Sequence, residues 1–298
     1  MALQWDDLRV FLAVARAESL SGAGRGLKLD PATVGRRVLR LEQDVGATLF
    51  VKTPQGYSLT SEGARLLAHA ERAEQAVNLG AAEVSGQAGR LSGQIRIGAP
   101  DGCANYLLPQ VCARIGHDHP GLEIQVVALP RVINLSKREA DMAIAVSAPE
   151  TGRQTVQKIT DYRLHLAASR GYLQQNPGIR TLSDLRDHKL VGYIPDLIFD
   201  KELDYLAELE AEHAEFGSNS VSVQFNFVRA GAGVGIVHSF AMPSADNLEP
   251  VLADEFTLKR SFYLIRHADD RKVERLNRFA ELLVTGVRQE VERLESAT

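Results

Sequence analysis

WDDLRVFLAVARAESLSGAGRGLKLDPATVGRRVLRLEQDVGATLFVKTPQGYSLTSEGARLL, residues Trp5–Leu67, is the stretch on which the fold turns. Its opening run sets Leu8, Phe11, Leu12 and Ala15 at three- and four-residue spacing, one face of a helix. Ser19–Leu27 is a second, glycine-weakened helical stretch with Ser19 or Ser21 to cap it. Asp30-Pro31 opens a third helix: an acceptor side chain stands at the cap, and a proline at the first position, where a missing N–H is harmless. Within it Val34, Val38, Leu41 and Val45 turn inward, Thr33, Arg36, Arg37 and Arg40 lie mostly on the other side, and Gly46 ends the helix. LFVKTPQGYSLT then reads as strand, turn and strand, a small hairpin.

Beyond this block, Ser61–Gln87 is a long helical segment opened by Thr60 or Ser61. Leu66, Ala70, Ala73, Val77, Gly80 and Val84 alternate steps of four and three, a heptad seam that suits pairing with another helix. At 1.5 Å per residue it spans about 40 Å, enough to separate two domains. Gly86–Gly93 breaks it.

From Gln94 the pattern becomes α/β. The apolar runs QIRIGA, EIQVVAL, DMAIAVS, YRLHLAAS, KLVGYI, SVQFNFV, VGIVHSF and SFYLIR read as strands. They alternate with helical stretches at Asn105–Ile115, Leu203–Glu212 and Val273–Val291, the signature of parallel sheets with crossover helices. Roughly 200 residues of this pattern call for two lobes joined by crossing strands. The expected organisation is residues 1–60, a linker and dimerisation helix at 61–89, and a two-lobed α/β domain at 90–298.

Composition narrows the function. No apolar run approaches the roughly 20 residues that cross a bilayer. Asp6 and Asp7 stand where an export signal would carry positive charge, so a cytoplasmic protein without membrane contact is expected. Two cysteines, Cys103 and Cys112, build no disulfide framework. The chain carries a net charge of -4, yet residues 1–60 hold eight basic side chains against six acidic, which makes the N-terminus the polyanion-facing part.

The ordered motifs of Trp5–Leu67 resemble the LysR-type transcriptional regulators. The match runs through the opening helix, Ser19–Leu27, Asp30–Asp44 as recognition helix, R-L-E at Arg40–Glu42, G-x-x-L-F at Gly46–Phe50 and L-T-x-x-G at Leu59–Gly63. Gly98–Pro109, Ala140–Ala145 and Val228–Ser239 resemble the family's effector domain more loosely. The resemblance implies an N-terminal winged helix-turn-helix and a C-terminal domain of the periplasmic-binding-protein type. It also implies double-stranded promoter DNA and a small-molecule effector as partners, self-association from dimer to homotetramer, and contact with RNA polymerase. There are departures. The recognition helix begins Asp30-Pro31-Ala32-Thr33 where the family usually has Ser-Gln-Pro-Ala, Gly35 replaces a usual serine, and Ala23-Gly24 replaces an alanine pair. Base preference therefore does not carry over.

In a helix-turn-helix the second helix enters the major groove N-terminus first. Pro31, Ala32, Thr33, Arg36 and Arg37 are the residues expected at base edges, with Arg40 a turn further on; the arginine fork suits O6 and N7 of guanine. Ser21, Lys28, Lys52 and Thr53 are the expected phosphate contacts. In the α/β part, ligands settle at strand carboxyl ends. That picks out Asp101, Gly102 and Cys103 after the first strand, Pro130 and Arg131 after the second, Ser147 after the third, Ile194 and Asp196 after KLVGY, and Phe227 near a crossing strand. The resemblance puts the Asp101 loop in the cleft between lobes, where family members often carry Ser or Thr for an anionic effector. Asp101 is either a carboxylate for an amine or hydroxyl, or a helix cap, and Arg131 keeps a carboxylate-bearing effector open. Cys103, beside a helix N-terminus, sits where thiol pKa falls; the alternative is a small buried residue. His238 reads as structural.

Enzyme readings fail on particular residues, and no cofactor or metal is expected. AGAGVGI at Ala230–Ile236 puts Ile236 where a dinucleotide loop requires its third glycine. His117-x-His119 lacks further ligands at zinc spacing. The rival is a solute-binding protein of the same two-lobed design, against which the helix-turn-helix weighs.

Overall fold

The cap residues act where expected. A computed structural model of the chain describes residues 3–53, 56–84, 90–128, 140–149, 154–209, 211 and 213–297. In it Ser19 accepts from Gly22 N at the head of α2 (Leu20–Leu27), which follows α1 (Trp5–Ala17). Asp30 accepts from Thr33 N at the head of α3 (Pro31–Val45), and Gly46 closes α3 at φ 68°. The hairpin β1 (Phe50–Thr53) and β2 (Gly56–Leu59) pairs antiparallel, Phe50 opposite Leu59.

Thr60 caps α4 (Ser61–Val84) through Gly63 N. Gly63 is required by close approach: a Cβ there would lie 2.1 Å from the Leu49 carbonyl oxygen. Leu8, Phe11, Leu12, Val34, Val38, Leu41, Leu49 and Phe50 form the core of this unit, and α4 joins it through Leu66, Leu67 and Ala70. Further along the heptad seam Val77 is exposed. The chain divides into two compact units, Met1–Arg90 and Leu91–Thr298, with α4 in the first.

The second unit is built on a nine-stranded mixed sheet. β3 (Ser92–Ala99) pairs in parallel with β4 (Gly121–Ala128) and β5 (Met142–Ala145). β6 (Gln154–Ser169) and β11 (Thr257–His267) are long antiparallel partners. They serve two halves: Tyr263–Arg266 of β11 pair with β5, while Leu164–Ala167 of β6 pair with β9 (Val234–His238). Beyond β9 lie β7 (Leu190–Gly192) and β8 (Phe216–Gly217), and β10 (Leu248–Val251) pairs with β6. The two crossing strands thus join two lobes.

Three expectations are corrected. SVQFNFV is not a strand but α8 (Val221–Arg229), capped by Ser220. Its buried residues are Val221, Gln224, Phe225 and Val228, helical spacing that the alternation of apolar and polar residues disguises. The helix expected at Leu203–Glu212 is absent over the described Leu203–Leu209: 3-10 turns at Lys201–Leu203 and Ala207–Leu209 stand there, and Asp204 draws in Ala207 N. Its Leu203, Tyr205 and Leu206 are all buried, too close in sequence for one helix stripe. Asn105–Ile115 is broken at Leu107 into α5 (Asp101–Tyr106) and α6 (Leu108–Asp118), with Pro109 in the first turn of α6. The remaining helices are α7 (Arg170–Gln175) and α9 (Glu274–Glu295). Among the described residues no helix is long and apolar enough to cross a membrane.

Candidate functional site

Two surfaces gather the expected residues. On the first unit, Pro31, Ala32, Arg36 and Arg40 are exposed along α3, with Thr33 and Arg37 half-buried. Ser21, Lys28 and Lys52 are exposed, and Thr53 is half-buried with its hydroxyl donating to Gly56 O at 3.3 Å. The head of α3 carries a linked set. Thr33 Oγ1 donates to Asp30, and an Arg36 guanidinium nitrogen donates to Thr33 Oγ1 at 2.8 Å. Hydrogen bonds from Thr33 hold the Asp30 carboxyl below its ordinary value, so it stays anionic at the tip of the helix.

The arginines further on are tied to α1. Arg37 lies 3.5 Å from Asp6. Arg40 donates through Nε to Asp7, whose side chain is fully buried. Arg40 is therefore a brace between helices and not simply a free guanidinium over the groove. Reading α3 alone missed Asp6 and Asp7; the signal was the acidic pair in the first turn of α1, facing an arginine-rich helix.

The second surface is a cleft between lobes. A narrow cavity of about 10 Å³, open to solvent, is lined from the first lobe by Pro100, Asp101, Gly102, Cys103 and Val146. Tyr193, Phe199, Leu203, Asn219 and Val221 line it opposite, with His238 and Phe262 on the sheet floor.

Asp101 is a helix cap, though for the helix across the cleft and not its own. Its Oδ2 accepts from Ser220 Oγ at 2.8 Å and Ser222 N at 2.9 Å, at the head of α8. A second tie crosses nearby: Ser147 Oγ donates to Asp200 Oδ2. Gly102 leaves room for His238, since a Cβ there would stand 3.0 Å from its Cε1. His238 packs on Tyr162 and Phe240 at 5.4 and 4.7 Å, and burial pulls its pKa down to about 4, so the imidazole is neutral near pH 7.

Cys103 lines the cleft but is fully buried. Desolvation drives its thiol far above the ordinary value, overriding the helix N-terminus, and pushes Cys112 up to about 11. Ile194 and Asp196 are exposed and stand outside the lining. Phe227 is on α8, against Phe216 at 5.5 Å, and stands outside the lining. Pro130 and Arg131 lie outside the described residues. Sequence reasoning did not find Tyr193, Phe199, Asn219, Asp200 or Phe262, and gave His238 only a structural role.

A model of the lysR family of bacterial regulatory helix-turn-helix proteins matches residues 5–64, and the LysR substrate-binding-domain model matches residues 88–288. The chain is 24% identical over 289 residues to the HTH-type transcriptional regulator CrgA of Neisseria meningitidis serogroup C (strain 8013), covering 94% of this chain and 95% of that one. It is 33% identical over 154 residues to the HTH-type transcriptional regulator DgdR of Burkholderia cepacia, 51% of each. A solved cysteine mutant of Corynebacterium glutamicum OxyR shares the fold, with TM-score 0.67 at 20% identity over 100% of this chain and 96% of that chain.

Proposed function

The chain belongs to the LysR family of transcriptional regulators, and from that premise we propose that Thr33, Arg36 and Arg37 read operator DNA while the cleft beside Asp101 receives the effector. The observation that carries this reading is the joined geometry at the head of α3. Thr33 holds the Arg36 side chain at the helix tip, where a recognition helix presents its base-reading groups. Pro31 and Ala32 offer apolar contact at the same edge, and Arg40, braced on Asp7, sets the tilt of α3 on α1. Ser21, Lys28, Lys52 and Thr53 supply the sequence-independent phosphate contacts.

Two further parts belong to the same reading. The exposed outer seam of α4 pairs with a second copy, because two half-sites need a two-fold protein. The groove between α6 and α9, about 520 Å³ and lined by Val111, Ile115, Leu282 and Gly286 with charged residues such as Arg114 and Glu281 beside them, serves side-by-side pairing of effector domains into a tetramer. RNA polymerase is the remaining partner, reached in the cytoplasm at the promoter. No catalytic step is assigned to any residue.

A gel shift with the protein's own upstream DNA, repeated over a salt series, tests the reading. Binding that weakens steeply with salt in the wild type, and loses its sequence preference in Arg37→Ala, supports it. Indifference to DNA at every salt concentration overturns it.

A further inference from the structure

We propose that the effector is a cationic amine with an apolar body, its ammonium seated on Asp101 and one N–H donated to His238. The inference rests on the cleft being the effector site and adds the charge of what enters it.

The place where an anion would settle is already taken. A helix N-terminus offers unfilled N–H groups to an anion, but at α8 Ser222 N is bonded to Asp101 Oδ2 and Val223 N to Ser220 Oγ. The resident carboxylate fills this position from the other lobe. A second anion would meet it at like charge and find no free donor at those two amides. Among the described lining residues no lysine or arginine is present, and Asp101 is the one formal charge.

Asp101 has capacity left for a donor. It accepts from Ser220 Oγ, Ser222 N and, through Oδ1, from Asn105 Nδ2 at 3.0 Å. An ionised carboxylate offers about four acceptor positions, so one on Oδ1 remains.

His238 points to the same ligand independently. It lines the cleft, is 7% exposed, and has no hydrogen-bond partner among the described residues. Neutral, it has one acceptor nitrogen, and the space it lines is walled by Tyr193, Phe199, Phe262 and Val146, with Asn219 as a further polar group. Aromatic faces attract a cation and repel an anion. The enclosed room is about 10 Å³, that of a single water, so the lobes part to admit the apolar body of the ligand.

The test uses the full chain and matched probes: 2-phenylethylamine, 3-phenylpropionate and 2-phenylethanol, measured by thermal shift and calorimetry. The amine is expected to bind tightest, and Asp101→Asn to weaken it about tenfold or more while leaving the alcohol unchanged. Retained operator binding by Asp101→Asn shows that the variant is folded. A tighter carboxylate, no binding of the amine, or amine affinity unmoved in Asp101→Asn overturns the proposal. Val146→Phe, which fills the cleft, separates the two levels. If it abolishes probe binding while Asp101→Asn does not matter, the charge class falls and the site stands. If probes bind unchanged to both variants, the site falls as well.

Discussion

Arg40 on α3 donates from Nε and a terminal nitrogen to the two oxygens of Asp7 on α1, and the Asp7 side chain is fully buried. The pair spans 33 positions of sequence and fixes the angle at which α3 leaves the domain. Its two ends are unlike, because 54% of the Arg40 side chain is still in water.

That asymmetry predicts unequal losses. Arg40→Ala strands a desolvated carboxylate and should lower Tm by several degrees. Asp7→Asn should lower it less, since asparagine carries no charge to strand and Arg40 regains water. Thermal unfolding of both variants measures the difference, and equal losses would refute the ordering.

Thr33 gives a prediction about specificity without stability. Its hydroxyl links Asp30 to Arg36, so Thr33→Val should free Arg36 at nearly constant shape. The ratio of operator to random-DNA affinity should fall roughly tenfold, as for one loosened arginine–guanine pair. The salt slope should hold, because no phosphate contact is removed. A preserved ratio would mean that Arg36 needs no such support.

Ser220 does two things at one atom: its Oγ accepts from Val223 N and donates to Asp101. Ser220→Ala should destabilise the effector domain by about 1–2 kcal/mol, the loss of a cap plus an inter-lobe bond. Ser220→Thr should restore most of it. Denaturant unfolding reads both variants, and a silent alanine would show that the cap is dispensable.

These residues also mark how far the sequence could be read. The helix-turn-helix was legible because cap, proline and periodicity all act locally, within Asp30–Gly46. The crossing strands were legible as apolar runs. The strand reading of SVQFNFV failed because V-Q-F-N-F alternates by coincidence, and only burial of Gln224, bonded to Ser218 O at 2.7 Å, shows the helical period. The cleft was half legible. Strand ends located Asp101, but its partners Ser220 and Ser222 lie over a hundred residues away. No local pattern reveals a side chain that caps another lobe's helix.

His238 yields a pH dependence whose sign follows from its burial. Its ordinary value is 6.5, and burial lowers it to about 4 in the folded chain, with Asp101 opposing the shift. Between these values the unfolded chain binds the proton and the folded chain does not, so stability rises with pH across the window. Lowering pH from about 6.5 towards 4 should therefore remove stability, on the order of 3 kcal/mol at full extent. Carboxylates such as Asp184 and Glu215, held below their ordinary values, add losses at lower pH, so the contribution of His238 is isolated by difference. Denaturant unfolding of wild type and His238→Asn from pH 4 to 7 gives that difference. It should be steep between 4 and 6.5 and flat above, whereas a flat difference throughout would mean that His238 is protonated in the folded chain, which a neutral acceptor facing the cleft does not permit.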